Sequence, residues 1–156
     1  MIQRIQTLFL VLVIIANVLI FFFPLTSFLT ELNYYKLYIT ELKNMTPGSE
    51  IHFSSIVTLP LILLNIAMIF LTIVTIFKYK NRLLQIRLNK FNILLTIFII
   101  VGIFFGYPKL VEMGINASPA FSIGAYFPIA SLILLFFANR FILKDEKLIK
   151  SADRLR

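Results

Sequence analysis

Residues 53–77, FSSIVTLPLILLNIAMIFLTIVTIF, run for 25 positions without a charged side chain. About 20 apolar residues suffice to cross a hydrocarbon core as a helix, so this stretch predicts a transmembrane helix. Its few polar residues are not scattered. Thr58, Asn65, Thr72 and Thr75 fall at intervals of 7, 7 and 3, and Leu61 and Met68 complete a 3-4 repeat. That spacing puts them on one face of a helix, the face expected to meet other helices.

Working outward, three more charge-free runs appear: Ile5 to Thr30, Phe91 to Pro108 and Met113 to Asn139. Four spans result, with cores at about 5–24, 56–77, 91–108 and 122–142. The fold class predicted is an all-α membrane protein: a left-handed bundle of four transmembrane helices forming a single integral membrane domain over residues 1–156. Composition agrees. The 156 residues are 60% hydrophobic and 14% charged, against about 25% charged in a soluble domain. The first span is expected to be retained rather than cleaved. Its apolar stretch, Ile5 to Phe23, is longer than the roughly 7–15 residues of a signal-peptide core, and no small-x-small cleavage pattern comes after it.

The formal charge of +8 is distributed unevenly. Twelve of the 15 basic residues lie in residues 1–4, 78–90 and 140–156, three segments that four spans place on one side. Only Lys36, Lys43 and Lys109 lie on the other. Short basic loops resist translocation, so both termini, a basic loop at 78–90 and a tail at 143–156 are predicted to be cytoplasmic. This accounts for the cations without nucleic acid, which would call for a basic patch with stacking aromatics on a soluble module.

In lipid, helices associate through close packing at small residues and through interhelical hydrogen bonds. The packing candidates are Asn17, with Leu10, Ile14 and Phe21; Asn65; Asn92, Gly102 and Gly106, with Leu95 and Ile99; and Gly124 and Ser131, with Ala120, Phe127, Leu134 and Ala138. The three asparagines are read either as glue between helices, the preferred reading, or as the lining of a small polar cavity. Gly102-Ile-Phe-Phe-Gly106 is a GxxxG pair suited to close approach of a neighbouring helix.

The predicted cores contain no Asp, Glu, Lys or His. Ion-coupled carriers, proton pumps and voltage sensors place such groups at membrane depth, so these classes are disfavoured. Cysteine is absent, and His52 is the sole histidine, which excludes thiolate chemistry, bis-histidine haem and an HExxH zinc site. No Walker A loop, GxGxxG or GxSxG motif is present. No catalytic, cofactor-binding or metal residue is therefore assigned. An outer-surface enzyme using His52 with Glu50 or Glu112 is the least favoured reading.

Between the first two spans, Tyr34 to Thr40 alternates with period 2 and is rich in strand-favouring residues, Pro47-Gly48 signals a turn, and Ile51-His52-Phe53 offers a return strand. The expectation is a short extracytoplasmic β-hairpin over about 33–53, with Tyr34, Tyr35 and Tyr38 as outer recognition candidates. In the tail, Leu148, Ile149, Ala152 and Leu155 make an apolar stripe among basic residues. Such a helix suits either anionic headgroups or a docking partner.

The opening Met1-Ile-Gln-Arg-Ile-Gln-Thr7, with Lys144-Asp-Glu146 and Ser151-Ala-Asp-Arg-Leu-Arg156 at the other end, resembles a family of small four-span inner-membrane proteins of Bacteroidota, a domain of unknown function. The resemblance covers the whole chain and implies a bacterial inner-membrane location. It transfers no catalytic or ligand-binding residue. The functional expectation is a non-enzymatic structural or accessory subunit of a membrane complex, contacting the lipid bilayer and a membrane-protein partner through the outer hairpin or the basic tail. The alternative is a binding or carrier protein for a lipid-like small molecule.

Overall fold

A computed structural model describes residues 3–30, 33–46, 58–115 and 117–153. The chain is mostly helical. α1 spans Gln3–Leu19 and α2 Leu59–Phe77. α3, Arg82–Val101, continues through a π-helical segment, Gly102–Gly106, into α4, Tyr107–Ile115. A 3-10 turn, Ile123–Ala125, leads into α5, Tyr126–Asp153. Three stretches, Leu59–Phe77, Arg82–Val111 and Ile123–Leu148, are long and apolar enough to cross a membrane, while the apolar helix Ile5–Leu19 is shorter.

Each helix boundary has a local cause. α1 stops at Leu19 instead of running on to residue 24, because Phe21 and Phe22 donate back to Val18 and Leu19 in a tightened last turn. Pro24 then disfavours helical backbone at Phe23. α3 starts at Arg82, nine residues before the expected Phe91, because the Asn81 side chain caps it by accepting from the Leu84 amide at 3.2 Å. The expected loop at 78–90 thus shrinks to a turn at 78–81, and the exposed Arg87 and Lys90 ride on the outer face of a helix.

The helices form a closed ring in which α1 packs on α2 and α5, and α3 packs on α2 and α5. The buried positions trace 3-4 seams: Gln6, Leu10, Val13 and Asn17 on α1 with Ile20 just beyond it; Leu61, Asn65, Met68, Thr72 and Thr75 on α2; Ser131, Leu135, Ala138, Ile142 and Asp145 on α5. The α2 seam is the one its sequence spacing predicts. In the α1 seam, Val13 and Ile20 replace Ile14 and Phe21; on α5, Leu135 replaces Leu134. A phase for α5 counted from Ala120, Gly124 and Phe127 fails because Ala120 is an exposed strand residue and Gly124 lies in the 3-10 turn, so helical spacing does not hold across them.

The third seam changes phase at the π segment. Gln85, Asn89, Asn92, Thr96 and Ile99 are followed by Ile103, Tyr107 and Val111, not by Gly102 and Gly106. A π turn inserts one extra residue and rotates every later position of the helix, and it also prepares the helix for Pro108, which lacks an amide hydrogen. A Cβ on Gly102 would lie 3.4 Å from Leu61 Cδ2, whereas one on Gly106 would meet nothing within 4 Å. The GxxxG pair therefore makes one close approach, not two.

At one end of the ring sits a four-stranded antiparallel sheet in the order β3-β2-β1-β4. β1 is Thr26–Leu29, β2 Tyr34–Leu37, β3 Leu42–Asn44 and β4 Ser118–Phe121. The strand expected from Tyr34 onward is present, but the hairpin turns earlier than Pro47-Gly48. Tyr38 donates its amide to the Glu41 carbonyl at 2.8 Å, so the return strand is β3. The expected return at Ile51-His52-Phe53, with His52 and Pro47-Gly48, lies outside the described residues. The sheet is wider than a hairpin because β1 and β4 come from runs that hydropathy assigns to membrane spans. In β1 the alternation that sends Thr26 and Phe28 inward fits a strand, with Phe28 opposite Tyr35 and Thr26 opposite Leu37.

The sheet and helices are joined where the 3-10 turn crosses the segment after α1. Gly124 donates its amide to the Pro24 carbonyl at 3.0 Å, and Ser122 donates to Leu25 at 2.9 Å. A Cβ on Gly124 would lie 2.5 Å from the Pro24 oxygen and 2.7 Å from that of Phe23, both backbone atoms. Gly124→Ala is therefore expected to lower stability by about 1–3 kcal/mol, read as a drop in melting temperature in detergent, while Gly106→Ala leaves the melting temperature essentially unchanged.

Candidate functional site

The inward seams bring polar side chains from all four sides of the ring to its axis. Gln6 and Asn17 come from α1, Asn65 from α2, Gln85, Asn89 and Asn92 from α3, and Ser131 from α5, each no more than 2% exposed. Between Asn65 and Thr75 on α2 the rise is about 15 Å, so the amides form a column rather than a single cluster.

Their geometry obeys one rule. Asn17 Nδ2 donates to the Val13 carbonyl at 2.7 Å and to Ser131 Oγ at 3.1 Å, joining α1 to α5. Asn65 Nδ2 donates to the Asn17 carbonyl at 3.1 Å, joining α2 to α1. Gln85 Nε2 reaches the Thr75 carbonyl at 3.2 Å, and Asn89 Nδ2 reaches the Leu135 carbonyl at 3.1 Å, joining α3 to α2 and α5. Because each of these four amides meets a backbone carbonyl, which cannot donate, its orientation is fixed by chemistry. The nitrogen must face the carbonyl. The side-chain oxygens of Asn17, Asn65, Gln85 and Asn89 consequently have no hydrogen-bond partner among the described residues, and neither end of the Asn92 amide has one.

The threonines behave differently. Thr72, Thr75 and Thr96 each donate to the carbonyl four residues back, on Met68, Leu71 and Asn92. Satisfied within their own helix, Thr72 and Thr75 need nothing from a neighbour, and Thr96 makes in addition a contact at 3.4 Å with Met68 Sδ of α2. The column is therefore fastened by amides, with Ser131 as the hydroxyl that receives a bond from another helix.

Of the packing candidates, Asn17, Asn65 and Ser131 come together in one linked set, Asn92 lies on the same axis without a bond to them, Gly102 backs onto α2, Gly124 holds the sheet junction, and Gly106 is exposed. Sequence reasoning missed Gln6, Gln85, Asn89 and the buried Asp145 because they lie at the margin of a span or in segments that their charges mark as loop or tail. The available signal was the 4-3-4-3 spacing of Gln85, Asn89, Asn92, Thr96 and Ile99.

On the sheet, Tyr35 is only 2% exposed and forms part of the core, which removes it as a recognition residue. It is the inward member of the β2 alternation. Tyr34 and Tyr38 are half-buried, and Lys36 Nζ lies 5.5 Å from the centre of the Tyr34 ring, within cation-π range. Among the described residues no group of three or more His, Asp or Glu side chains could hold a metal ion. The side chain of Glu112, like Glu50 and His52, is outside what the structure describes.

A ring of helices fastened by inward amides, roofed by a small sheet and carrying three helices apolar enough to cross a membrane has the build of a helical membrane protein. Residues 2–155 match the family model described as Domain of unknown function (DUF4293), and the chain belongs to that family. No curated protein and no solved structure matches it.

The two amide states give a direct comparison. Asn65→Leu removes an interhelical bond and is expected to destabilise by about 0.6 kcal/mol, with about 1.7 as the upper end for such bonds in membranes. Asn92→Leu removes no side-chain bond among the described residues, so its melting temperature in detergent should equal or exceed that of the unaltered chain.

Proposed function

We propose that this protein is an integral protein of the cytoplasmic (inner) membrane, crossing it with four helices as a left-handed bundle with both termini cytoplasmic, and that it serves as a non-enzymatic structural or accessory subunit of a membrane complex. The observation that carries this reading is the use made of the inward amides. The nitrogens of Asn17, Asn65, Gln85 and Asn89 donate to backbone carbonyls, three of them on another helix. Asn17 reaches its second helix through Ser131. The nitrogens of these four inward amides are thus taken up in fastening the bundle, and what is left over on its axis is their oxygens and the Asn92 amide.

The orientation rests on how the fold segregates charge. Thr58 Oγ1, at the start of α2, donates to the Thr40 carbonyl at 2.9 Å, which sets that end of α2 against the sheet. The exposed Lys78 and Lys80, beyond the other end of α2, are therefore remote from the sheet. Positive residues at the end away from the sheet suit the cytoplasmic side. The free face of the sheet, where Leu29 is 71% exposed, is the surface offered to a partner.

Because the chain has no native cysteine, single cysteines report topology without background. In intact cells, Lys43→Cys should react with a membrane-impermeant maleimide, and Lys80→Cys should react only after the membrane is opened. Crosslinking in native membranes followed by purification in mild detergent should recover a second protein bonded near Leu29. Recovery of the chain alone under every crosslinking condition counts against the accessory role.

A further inference from the structure

The outer surface of α5 carries an open groove of about 580 Å³, bounded by Phe136, Phe137 and Leu143 and by the cations Arg140, Lys144 and Lys147. We propose that this groove binds one anionic phospholipid, its phosphate held by Arg140, Lys144 and Lys147 and its upper acyl chain lying on Phe136, Phe137 and Leu143.

Three observations support this. The cations lie at intervals of 4 and 3, which align them on one face, and all three are exposed. The nearest acids do not neutralise them: neither Asp145 nor Glu146 lines the groove, and Asp145 is turned into the bundle at 4% exposed. Among the described residues no acid lines the groove, so a negative charge from outside the chain complements it. Depth also matches. Counted along α5 from Tyr126, Lys147 lies at about 32 Å, Lys144 at about 27 Å and Arg140 at about 21 Å. In a hydrocarbon core of about 30 Å, Lys147 therefore reaches the headgroup boundary and the long side chains of Lys144 and Arg140 extend toward it from below, while Phe136 and Phe137, at about 15–17 Å, stay within the core.

The apolar floor is held in place before any lipid arrives. Phe9 of α1 stacks on Phe137 at 5.7 Å and on Phe141 at 5.5 Å between ring centres. A floor fixed by a neighbouring helix loses little freedom when an acyl chain settles on it. The long stems of Arg140, Lys144 and Lys147 can meanwhile lie along the apolar surface with their heads at the phosphate.

This inference rests on the membrane placement proposed above but not on the accessory role. The test uses the full chain reconstituted in vesicles of phosphatidylcholine and phosphatidylglycerol, with flotation to establish insertion and native mass spectrometry to count retained lipids. The unaltered chain should retain phosphatidylglycerol in preference to phosphatidylcholine. The triple variant R140Q/K144Q/K147Q should still float but lose that preference by a factor on the order of ten or more. The triple variant K78Q/K80Q/R87Q, which removes equal charge from exposed sites outside the groove, should keep it. An unchanged preference in the first variant, or an equal loss in both, overturns the groove site while leaving membrane insertion intact. A photoreactive residue at position 143 that captures a protein instead of lipid in native membranes also overturns it. Failure to float would instead strike the membrane placement itself.

Discussion

The arrangement depends on Asn17. Its side-chain nitrogen donates to Val13 and to Ser131, and its backbone carbonyl accepts from Asn65, so one residue near the end of α1 joins α1, α2 and α5. Apolar packing alone would not choose this register, since lipid tails are as apolar as the side chains that would face each other. An amide that must find a particular carbonyl does choose it. Gln85 and Asn89 repeat the device for α3, one toward α2 and one toward α5, which closes the ring.

The sheet performs for the connecting segments what the amides perform for the helices. The segments after α1 and after α4 are far apart in sequence, yet β1 and β4 pair along Thr26–Leu29 and Ser118–Phe121, with Ser27 Oγ donating to the Ala120 carbonyl at 3.1 Å. Irregular backbone near a bilayer must satisfy its own polar groups, and pairing two connectors does so for both. The cost falls on Gly124, where the chain entering α5 passes so close to Pro24 and Phe23 that no side chain fits. Small size at that position is a steric requirement, not a conformational one.

How much of this is legible in the sequence depends on which physical signal each element carries. The α2 seam can be read because its polar residues are rare and an uninterrupted helix keeps them in phase. The third seam can be read only as far as Ile99, since hydropathy does not reveal a π segment and every later position rotates with it. Tyr35 eludes sequence reasoning for a different reason: alternation shows that successive residues point opposite ways but does not say which way is inward. β1 and β4 are hidden because TSFL and SPAF are short and uncharged, and a short apolar run fits a membrane helix as readily as a buried strand. Gln85 and Asn89 are masked by the cations around them, which mark the right end of the bundle and the wrong secondary structure.

That last confusion shows how α3 and α5 are built. Both carry their charged residues on continuous helix, with Arg87 and Lys90 exposed on α3 and Arg140, Lys144 and Lys147 exposed on α5, while Gln85, Asn89, Ile142 and Asp145 keep to the inward seam. In the membrane placement proposed above, a loop at this end would have to satisfy its backbone polar groups at the level where hydrocarbon gives way to headgroups. A helix satisfies them internally and lets long cationic side chains extend to the polar layer. The transition from apolar to charged sequence therefore occurs across the helix surface, not along the chain. The inward face of α5 remains uncharged as far as Ile142, and the first acid on that seam, Asp145, appears only where the outward face has already become cationic.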